Sequence, residues 1–449
     1  MISRRNFLFS SGMLSASAAG LCASPAKAGL ARRNNYLTDL KAEEYLLARE
    51  RWLADGNANR FLGYPLNLNF PSESFFKWRE ELYKTNLGRL PGNNVGDPFS
   101  GKGIDNSSHD LESDLVMRFA SRFRFTANNA WGFVSNSGTD SNLHGAYMGR
   151  SLLKNRTGIL PKVYYTKDSH YSIQIIRDLL GLEEVLVKPN SDGSMNIDDL
   201  ELKLLENKMA PVLLIATLGT TFKGGIDDID AINSKLSGVD SYVHLDAALF
   251  GGYLQALPFS THMQHITKGK VRYDSIAVSF HKFFGYPSVA GLFITGRTTF
   301  ESFRDVFSAV HDPAYISHVP GTITCSRDPV KPAELHYFTH KESLLQQRRE
   351  ARMVLDNADY LHSEMCSHFS DLSPRRVDEH SNIVYFNNEI SSKLASKWNL
   401  ATMAESVIHG RSMAHVVVMP HVNKFLLDDF LTDLEKDLKT AQGLSIDVG

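Results

Sequence analysis

Four short segments of the sequence carry residue types that can do chemistry. The first is rich in hydroxyl groups, and the second contains a histidine. The segment Ser135–Asn142, which includes Ser137, Gly138 and Thr139, leads into a helical pattern at 143–153, and its hydroxyls, backbone N–H groups and the positive end of the helix dipole suit a phosphate group. The same residue types also serve as ordinary helix caps. His170 lies between a predicted strand and a predicted helix, where its ring either stacks on a flat ligand or merely caps the turn.

The other two segments carry opposite charges in apolar surroundings. Asp246 ends an otherwise apolar strand and therefore needs a proton or a cation, which is either a ligand or an internal Lys or Arg. The small Ala247-Ala248 pair after it leaves room for a flat molecule. Lys282 has Phe280 on one side and Phe283-Phe284 on the other, so burial should lower its pKa and allow the neutral amine to form an imine; a surface lysine is the alternative.

Together, these segments describe the contacts of one cofactor. A phosphate cradle, a stacking ring, a carboxylate for a protonated ring nitrogen and an imine-forming lysine are what pyridoxal phosphate requires. Their joint occurrence is much more specific than any one of them. The sequence therefore predicts a pyridoxal phosphate site.

The elements that must position these residues alternate between strands and helices. Such alternation indicates βαβ units and a mainly parallel sheet, and ligands collect at the carboxyl ends of such strands. Strands are predicted at 163–165, 185–187, 212–216, 242–246, 275–278 and 291–295, and helices at 171–180, 197–205 and 228–236. Beyond these, the pattern predicts a long charged helix at 335–365, strands at 382–386 and 413–419, and a last helix at 422–440.

Composition excludes several other classes of protein. The 449 residues are 43% hydrophobic with a formal net charge of −2, so no basic field attracts nucleic acid or anionic lipid. The three cysteines, Cys22, Cys325 and Cys366, form no CxxC pair and no Cys/His cluster with zinc spacing. Neither a disulfide framework nor a metal site is therefore predicted.

The amino terminus is predicted to be an export signal. Arg4-Arg5 is followed by Phe7-Leu8, a weakly apolar stretch and the small-x-small triplet Ala26-Lys27-Ala28, which resembles a twin-arginine signal. A chance basic start to a cytoplasmic enzyme is the alternative. We expect a periplasmic protein that uses the twin-arginine machinery, and a cytoplasmic one if the signal does not function. The apolar run is too short and interrupted for stable membrane insertion.

Several motifs resemble the group II pyridoxal-phosphate decarboxylases, especially bacterial histidine decarboxylases and plant serine decarboxylases. The resemblance rests on Trp131–Asn142, Tyr164–Ser172, Gly219–Thr221, Gly225–Ile229, His244–Ala248, Ser279–Lys282 and Thr322–Arg327. Upstream, Leu62–Leu68 and Asn93–Phe99 are similar to the serine decarboxylase arm. The resemblance implies fold type I of these enzymes, an α/β architecture with a mainly parallel seven-stranded sheet domain and a small α+β carboxyl-terminal domain. It also implies a homodimer with active sites at the subunit interface.

The predicted organisation follows from these features. Residues 1–28 are the signal, 29–108 an amino-terminal arm, 109–325 the large cofactor domain and 326–449 the small domain. A helix is expected within the arm at 36–55, whereas 63–108 has little periodicity and is expected to be an extended segment without its own core. This segment is interpreted as wrapping the dimer partner and facing the substrate.

The resemblance also implies a role for each site residue. Lys282 would bind the cofactor covalently, Asp246 would pair with the ring nitrogen, and His170 would stack on the ring and face the substrate carboxylate. Thr221 would lie near the ring hydroxyl and Ala248 against the second ring face. The phosphate would be held by Ser137, Gly138, Thr139, Ser279 and His281.

Some positions depart from the family pattern. Phe280 replaces a glycine, and Asp328-Pro329 follows Arg327 where relatives have Asn-Gly. The loop that carries a proton-donating tyrosine in longer decarboxylases is short here, leaving Tyr315 or His318 as candidates to return a proton to Cα.

These observations predict decarboxylation of an L-amino acid to its amine and CO₂, with histidine or serine as first candidates. Two alternatives stay open: another reaction on the same cofactor, such as amino-group transfer or a lyase reaction, and an exported protein that binds pyridoxal phosphate without turnover.

Overall fold

A computed structural model of the chain describes residues 39–55, 60–69, 72–101, 105–123, 125, 129–257, 273–311, 313–316, 318–403 and 412–441. The predicted export signal lies outside these residues. The chain divides into two units, Met1–Ala58 and Asn59–Gly449. The described part of the first unit holds helix α1 (Asp39–Ala54), where the sequence predicts a helix over 36–55.

A seven-stranded sheet forms the centre of the second unit. Its strands are β1 (Ala130–Ser135), β2 (Lys162–Thr166), β3 (Glu184–Val187), β4 (Val212–Thr217), β5 (Ser241–Asp246), β6 (Ser275–Ser279) and β7 (Gly291–Gly296). Across the sheet their order is β1-β7-β6-β5-β4-β2-β3. Strand β7 runs antiparallel to β1 and β6, and the other neighbours are parallel. The predicted mainly parallel seven-stranded sheet is thus confirmed.

Helices surround this sheet. They are α2 (Glu73–Leu82), α3 (Asn86–Arg89), α4 (His109–Ala120), α5 (Gly138–Thr157), α6 (Ser172–Leu179), α7 (Ile197–Glu206), α8 (Ile229–Lys235), α9 (Phe250–Leu254) and α10 (Arg297–Ser308). All six residues of β4 are buried, as expected for a parallel strand covered on both faces. The apolar run of β4 therefore lies in the core rather than on a half-exposed sheet.

Helix α5 is the long helix next to the predicted phosphate segment, and local chemistry sets both of its ends. At its start, the Ser137 hydroxyl accepts a hydrogen bond from the Asp140 N–H. At its end, Gly158 adopts a left-handed conformation with φ of 75°, which a residue with a side chain rarely adopts. These caps place the amino terminus of α5 directly after β1.

The carboxyl-terminal part of the chain adds a second sheet. Its strands are β8 (Ile383–Asn387), β9 (Ala401–Met403) and β10 (Met413–Val417), in the antiparallel order β8-β10-β9. Its helices are α11 (Val330–Tyr337), α12 (Lys341–His368), α13 (Ser392–Lys397) and α14 (Lys424–Ala441). The two sheets lie on either side of residue 325, where the sequence predicts a domain boundary; that boundary stays a prediction.

Two sequence-based expectations are wrong. The helix expected at 335–365 is two helices, because the chain turns at Phe338, whose carbonyl accepts a hydrogen bond of 2.9 Å from the Gln347 side chain. The segment 63–108 is not wholly extended, since it contains α2 and α3. Phe75 of α2 is fully buried and packs against Tyr337 and Phe338, so this segment shares the core of the second unit.

Four further features bear on the candidate site and the predicted absences. Strand β1 and helix α10 were not predicted from the sequence pattern. Within the described ranges, no helix is long and apolar enough to cross a bilayer. No three His, Cys, Asp or Glu residues among those described are grouped so that they could hold a metal ion. The described cysteines, Cys325 and Cys366, are free and exposed.

Candidate active site

Three neighbouring strands deliver polar residues to one edge of the large sheet. In the parallel register, Thr217 at the end of β4 is paired with Asp246 at the end of β5, and Asp246 with Ala277 of β6. Strand β6 ends two residues later at Ser279. The carboxyl ends of β4, β5 and β6 therefore meet at the edge where ligands of α/β proteins collect.

Asp246 is buried and held by two donors. Its Oδ1 accepts a hydrogen bond of 3.2 Å from the Ala248 N–H, and its Oδ2 accepts one of 2.9 Å from Nδ2 of Asn142. Only 4% of the residue is exposed. A buried carboxylate keeps its charge when hydrogen-bond donors and a cation surround it. A protonated ring nitrogen would be such a cation.

Lys282 follows β6 within an aromatic cluster. Phe280, Phe283 and Phe284 are all buried. The Phe280 and Phe284 rings lie 5.0 Å apart, and both meet the Phe119 ring edge to face. Burial lowers the pKa of Lys282, while the negative charge of Asp246 opposes this shift. The direction of this shift agrees with the desolvation expected from the sequence, and it increases the fraction of neutral amine.

The start of α5 forms the predicted phosphate end of the site. The first N–H groups of a helix have no partner within the helix and attract anions. Gly138 lies so close to β6 that a Cβ atom there would be 2.5 Å from the Ser279 hydroxyl oxygen. This close approach brings the helix terminus, Thr139 and Ser279 around one space that an anion can fill.

His170 presents a neutral ring to the same space. Its Nδ1 accepts a hydrogen bond of 3.2 Å from the Ser172 N–H, so the proton of the neutral ring is on Nε2. Burial lowers the pKa of His170; the charge of Asp246 opposes this shift and that of Lys282 adds to it. The ring is therefore a hydrogen-bond donor through Nε2 at neutral pH.

His281 is a second histidine with a lowered pKa, at the phosphate end of the site. Its Nδ1–H donates a hydrogen bond of 3.3 Å to the Ala290 carbonyl. Burial lowers the pKa of His281, and the positive charge of Lys282 acts in the same direction. Its second ring nitrogen is consequently free to accept a proton once an anion is bound.

A cavity of about 160 Å³ joins these groups. Its lining includes every predicted site residue except Tyr315: Ser137, Gly138, Thr139, His170, Thr221, Asp246, Ala248, Ser279, His281 and Lys282. A larger groove of about 610 Å³ includes Pro211 and Val212, at the amino end of β4. That edge is opposite to the one where such sheets bind ligands.

The lining residues fit pyridoxal phosphate. The helix terminus with Ser279 suits its phosphate, the buried and hydrogen-bonded Asp246 suits its protonated ring nitrogen, and the desolvated Lys282 suits its aldehyde. Ala248 leaves one side of the space open to a flat ring, and His170 supplies an aromatic surface. Donor types and small residues therefore match each end of the cofactor.

Tyr315 and His318 do not lie in this cavity. Tyr315 is 87% exposed and lines a separate surface cavity of about 720 Å³. His318 is engaged at both ring nitrogens: Nδ1–H donates to the Ile316 carbonyl (2.8 Å), and Nε2 accepts from the Asp97 N–H (3.3 Å). Within one chain, the structure therefore brings neither candidate proton donor to Lys282.

The amino-terminal arm reaches the cavity at Pro65 and is fixed on both sides of that residue. Asn67 holds the lysine turn, because its Nδ2 donates a hydrogen bond of 2.8 Å to the Phe283 carbonyl. The His415 ring lies between two backbone carbonyl groups. Its Nε2 is 3.0 Å from the carbonyl oxygen of Gly63, and its Nδ1 is 2.7 Å from that of Phe222. The arm therefore contributes Pro65 to the lining of the cavity, and its contact with the substrate stays a prediction.

Sequence reasoning missed Asn142 and Asn67. Asn142 is four residues after Gly138, and this spacing puts both on the same face of α5, which was a usable signal. Asn67 is separated by 216 residues from the carbonyl that it contacts, and no local pattern reveals such a contact.

Comparison with known proteins gives consistent results. Residues 153–298 match the pyridoxal-dependent decarboxylase conserved domain. The chain is similar to histidine decarboxylase of Solanum lycopersicum, with 32% identity over 382 residues, 84% of this chain and 84% of that protein. It is also similar to serine decarboxylase 2 of Oryza sativa subsp. japonica, with 32% identity over 402 residues, 86% of this chain and 78% of that protein.

One solved structure shows the same fold. The crystal structure of L-methionine decarboxylase from Streptomyces sp. 590 aligns with a TM-score of 0.74 and 21% identity, covering 89% of this chain and 95% of that one. At this identity the likeness concerns the fold alone, which is the expected fold type I architecture.

Proposed function

Because the chain belongs to the pyridoxal-dependent amino acid decarboxylases, with pyridoxal phosphate as cofactor, we propose that it converts a polar L-amino acid to its amine and CO₂. Histidine and serine are the first substrates to test, since its relatives include histidine and serine decarboxylases. One observation carries the proposal: Lys282, Asp246, His170 and the start of α5 line a single cavity.

The residues divide the work between binding and proton control. When bound, pyridoxal phosphate supplies a protonated ring that accepts the electron pair left at Cα as CO₂ departs. Asp246 holds the proton on that ring, because an ionised carboxylate favours a cationic partner. Lys282 reacts as a neutral amine, and its burial raises the neutral fraction at physiological pH.

His170 and the apolar lining are assigned to the substrate carboxylate. The Nε2–H of His170 is a neutral donor, so it can orient a carboxylate without the full attraction of a cation. Pro65, Val289 and Val417 give the same cavity an apolar lining, which we assign to the substrate carboxylate. A poorly hydrated carboxylate loses less solvation when it leaves as CO₂.

The proposal is tested by measuring CO₂ release from each of the twenty amino acids with the purified holoenzyme. We expect release with one polar amino acid, accompanied by an equal amount of amine. Lys282→Ala should abolish release, and Lys282→Arg should do the same although it keeps the charge, because a guanidinium does not form an imine. An unchanged rate in both variants would remove Lys282 from the mechanism.

Product analysis separates the alternatives. A keto acid in place of amine and CO₂ would indicate amino-group transfer and contradict decarboxylation. A protein that binds pyridoxal phosphate but changes its absorbance with none of the amino acids would be a binding protein without turnover. Either result would overturn the proposed reaction while keeping the cofactor site.

We propose further that the active enzyme is a homodimer and that Tyr315 returns the proton to Cα across the subunit interface. The exposure of Tyr315 supports this assignment, and the engagement of both His318 nitrogens favours Tyr315 over His318. Inactive Lys282→Ala and Tyr315→Phe proteins should regain about a quarter of wild-type activity when refolded together, because one of two sites is intact in mixed dimers. No recovery would place Tyr315 in its own subunit or outside the reaction.

Export through the twin-arginine pathway is proposed from the sequence alone. Arg4-Arg5 and the small-x-small triplet support it. In a bacterial host, the wild-type protein should appear in the periplasmic fraction, and replacing both arginines by lysine should retain it in the cytoplasm. Equal distribution of the two proteins would contradict export by this route.

A further inference from the structure

A chain of four hydrogen bonds runs through the protein interior and ends on Asp246. The Tyr242 hydroxyl donates to Ser275 Oγ (2.9 Å), and Ser275 Oγ lies 2.7 Å from Nδ1 of His244. Nε2 of His244 lies 2.9 Å from Oδ1 of Asn142, whose Nδ2 donates to Oδ2 of Asp246 (2.9 Å). All five side chains are buried, so no water competes for these bonds.

The direction of every bond in this chain follows from its end. An ionised carboxylate only accepts hydrogen bonds, so Asn142 turns its amide nitrogen to Asp246 and its oxygen to His244. Because an amide oxygen only accepts hydrogen bonds, Nε2 of His244 carries a proton and donates it to Oδ1 of Asn142. Because burial lowers the pKa of His244 to about 4, the ring is neutral and its Nδ1 accepts from the Ser275 hydroxyl. Ser275 in turn accepts from Tyr242, so all four bonds donate toward Asp246.

The surrounding backbone is shaped to hold the His244 ring. A Cβ atom at position 145 would lie 2.3 Å from Nδ1 of His244, so the glycine there is required for the ring to fit under α5. The four bonds join α5 to β5 and β6 beneath the cavity. The chain ends on Oδ2 of Asp246, whereas the Ala248 N–H donates to Oδ1.

We propose that Asn142, His244 and Ser275 are positioning residues that keep the carboxylate of Asp246 ionised and oriented toward the ring nitrogen of the cofactor. This inference rests on the proposed function, in which Asp246 pairs with that nitrogen. Donors to a carboxylate stabilise its charged form, so the shared proton stays on the ring nitrogen. Losing them shifts the proton toward the carboxylate and weakens the ring as an electron acceptor.

The test is the ¹⁵N NMR signal of the ring nitrogen in holoenzyme loaded with ¹⁵N-labelled pyridoxal phosphate, followed over pH. The wild-type signal should be that of a protonated nitrogen near neutral pH. Asn142→Leu and His244→Leu should move the transition to lower pH and weaken cofactor binding about 10- to 100-fold, since each removes a bond that supports a charged group. His244→Gln, which keeps a donor for Asn142, should lie between His244→Leu and wild type.

Two further variants make the outcome decisive. Ser275→Ala should give a smaller shift of the same sign, and it carries the test if Asn142→Leu does not fold. Asp246→Asn tests the proposed function itself: a wild-type signal there would refute the assignment of Asp246. If Asp246→Asn alters the signal but His244→Leu and Ser275→Ala only lower the unfolding temperature, the positioning role is refuted and the proposed function stands.

Discussion

The buried ion pair between Arg327 and Glu112 allows a quantitative prediction about stability. Arg327 donates to both oxygens of Glu112, with Nε 3.3 Å from Oε1 and Nη2 3.0 Å from Oε2. Its Nη1 donates to the Gly96 carbonyl (3.0 Å) and to Thr322 Oγ1 (3.1 Å). The exposed fractions of the two side chains are 2% and 0%. The pair thus joins α4, the arm and the segment before α11.

Replacing Glu112 by glutamine keeps the shape of the side chain but removes the charge that balances Arg327. An uncompensated buried charge reduces the free energy of unfolding by about 3 to 5 kcal/mol. The matched control is Glu435→Gln, because Glu435 pairs with Lys439 at 2.7 Å but both side chains are more than half exposed. An exposed pair contributes about 0 to 1 kcal/mol, so this control should stay near wild type.

The assay is urea unfolding followed by circular dichroism at one fixed cofactor concentration, because bound cofactor also stabilises the folded state. In the double variant Glu112→Gln/Arg327→Met, the free energy of unfolding should fall by less than the sum of the decreases in the two single variants. The reason is that the double variant leaves no unpaired charge in the interior. If Glu112→Gln lowered the unfolding midpoint no more than Glu435→Gln, the reasoning about this pair would be refuted.

Three other predictions concern the cavity and its surroundings. Gly138→Ala should weaken binding of pyridoxal phosphate about 10-fold in a fluorescence titration, because its Cβ atom would crowd the Ser279 hydroxyl; unchanged affinity would contradict the close approach. Asn67→Ala should speed cofactor loss on dilution, followed by absorbance, because it removes the 2.8 Å bond to the Phe283 carbonyl; an unchanged rate would show that the arm does not hold the lysine turn. Among the residues that the structure describes, His144 is buried without a hydrogen-bond partner, and burial lowers its pKa to about 3. The unfolded chain therefore binds a proton below about pH 6.5 that the folded state excludes, so stability falls as the pH falls. Between about pH 7.5 and 5.5, the free energy of unfolding of wild type should fall about 1.4 kcal/mol more than that of His144→Leu in urea titrations, and equal pH slopes would contradict this.

Local sequence determines the parts of the site that could be predicted. Ser137, Asp246 and Lys282 each lie within a short segment whose residue types already express their chemistry. Asp246 and Lys282 follow strands that are apolar runs in a mainly parallel sheet, so the carboxyl ends of these two strands share an edge. The cofactor follows from these two facts, whereas the places of Thr221, Ala248, Ser279 and His281 are implied by the resemblance to the decarboxylases.

Contacts between distant segments could not be predicted in the same way. Asn67 and Arg327 act through partners more than 200 residues away, and such pairing leaves no periodic signal. At the turn that interrupts the helical pattern of 335–365, Phe338 packs against Phe75, a contact with a distant segment that the local pattern does not contain. The location of Tyr315 on the surface likewise reflects tertiary structure, since its neighbours in sequence give no indication of exposure.

Lys282 is the residue that we predict to bind pyridoxal phosphate covalently. Reduction of the holoenzyme with sodium borohydride, followed by proteolysis and peptide mass spectrometry, locates the attached cofactor directly. We predict the pyridoxyl phosphate mass on the peptide that contains Lys282 and on no other lysine. Attachment to Lys223, the buried partner of Asp168, or to no lysine would refute the assignment of Lys282.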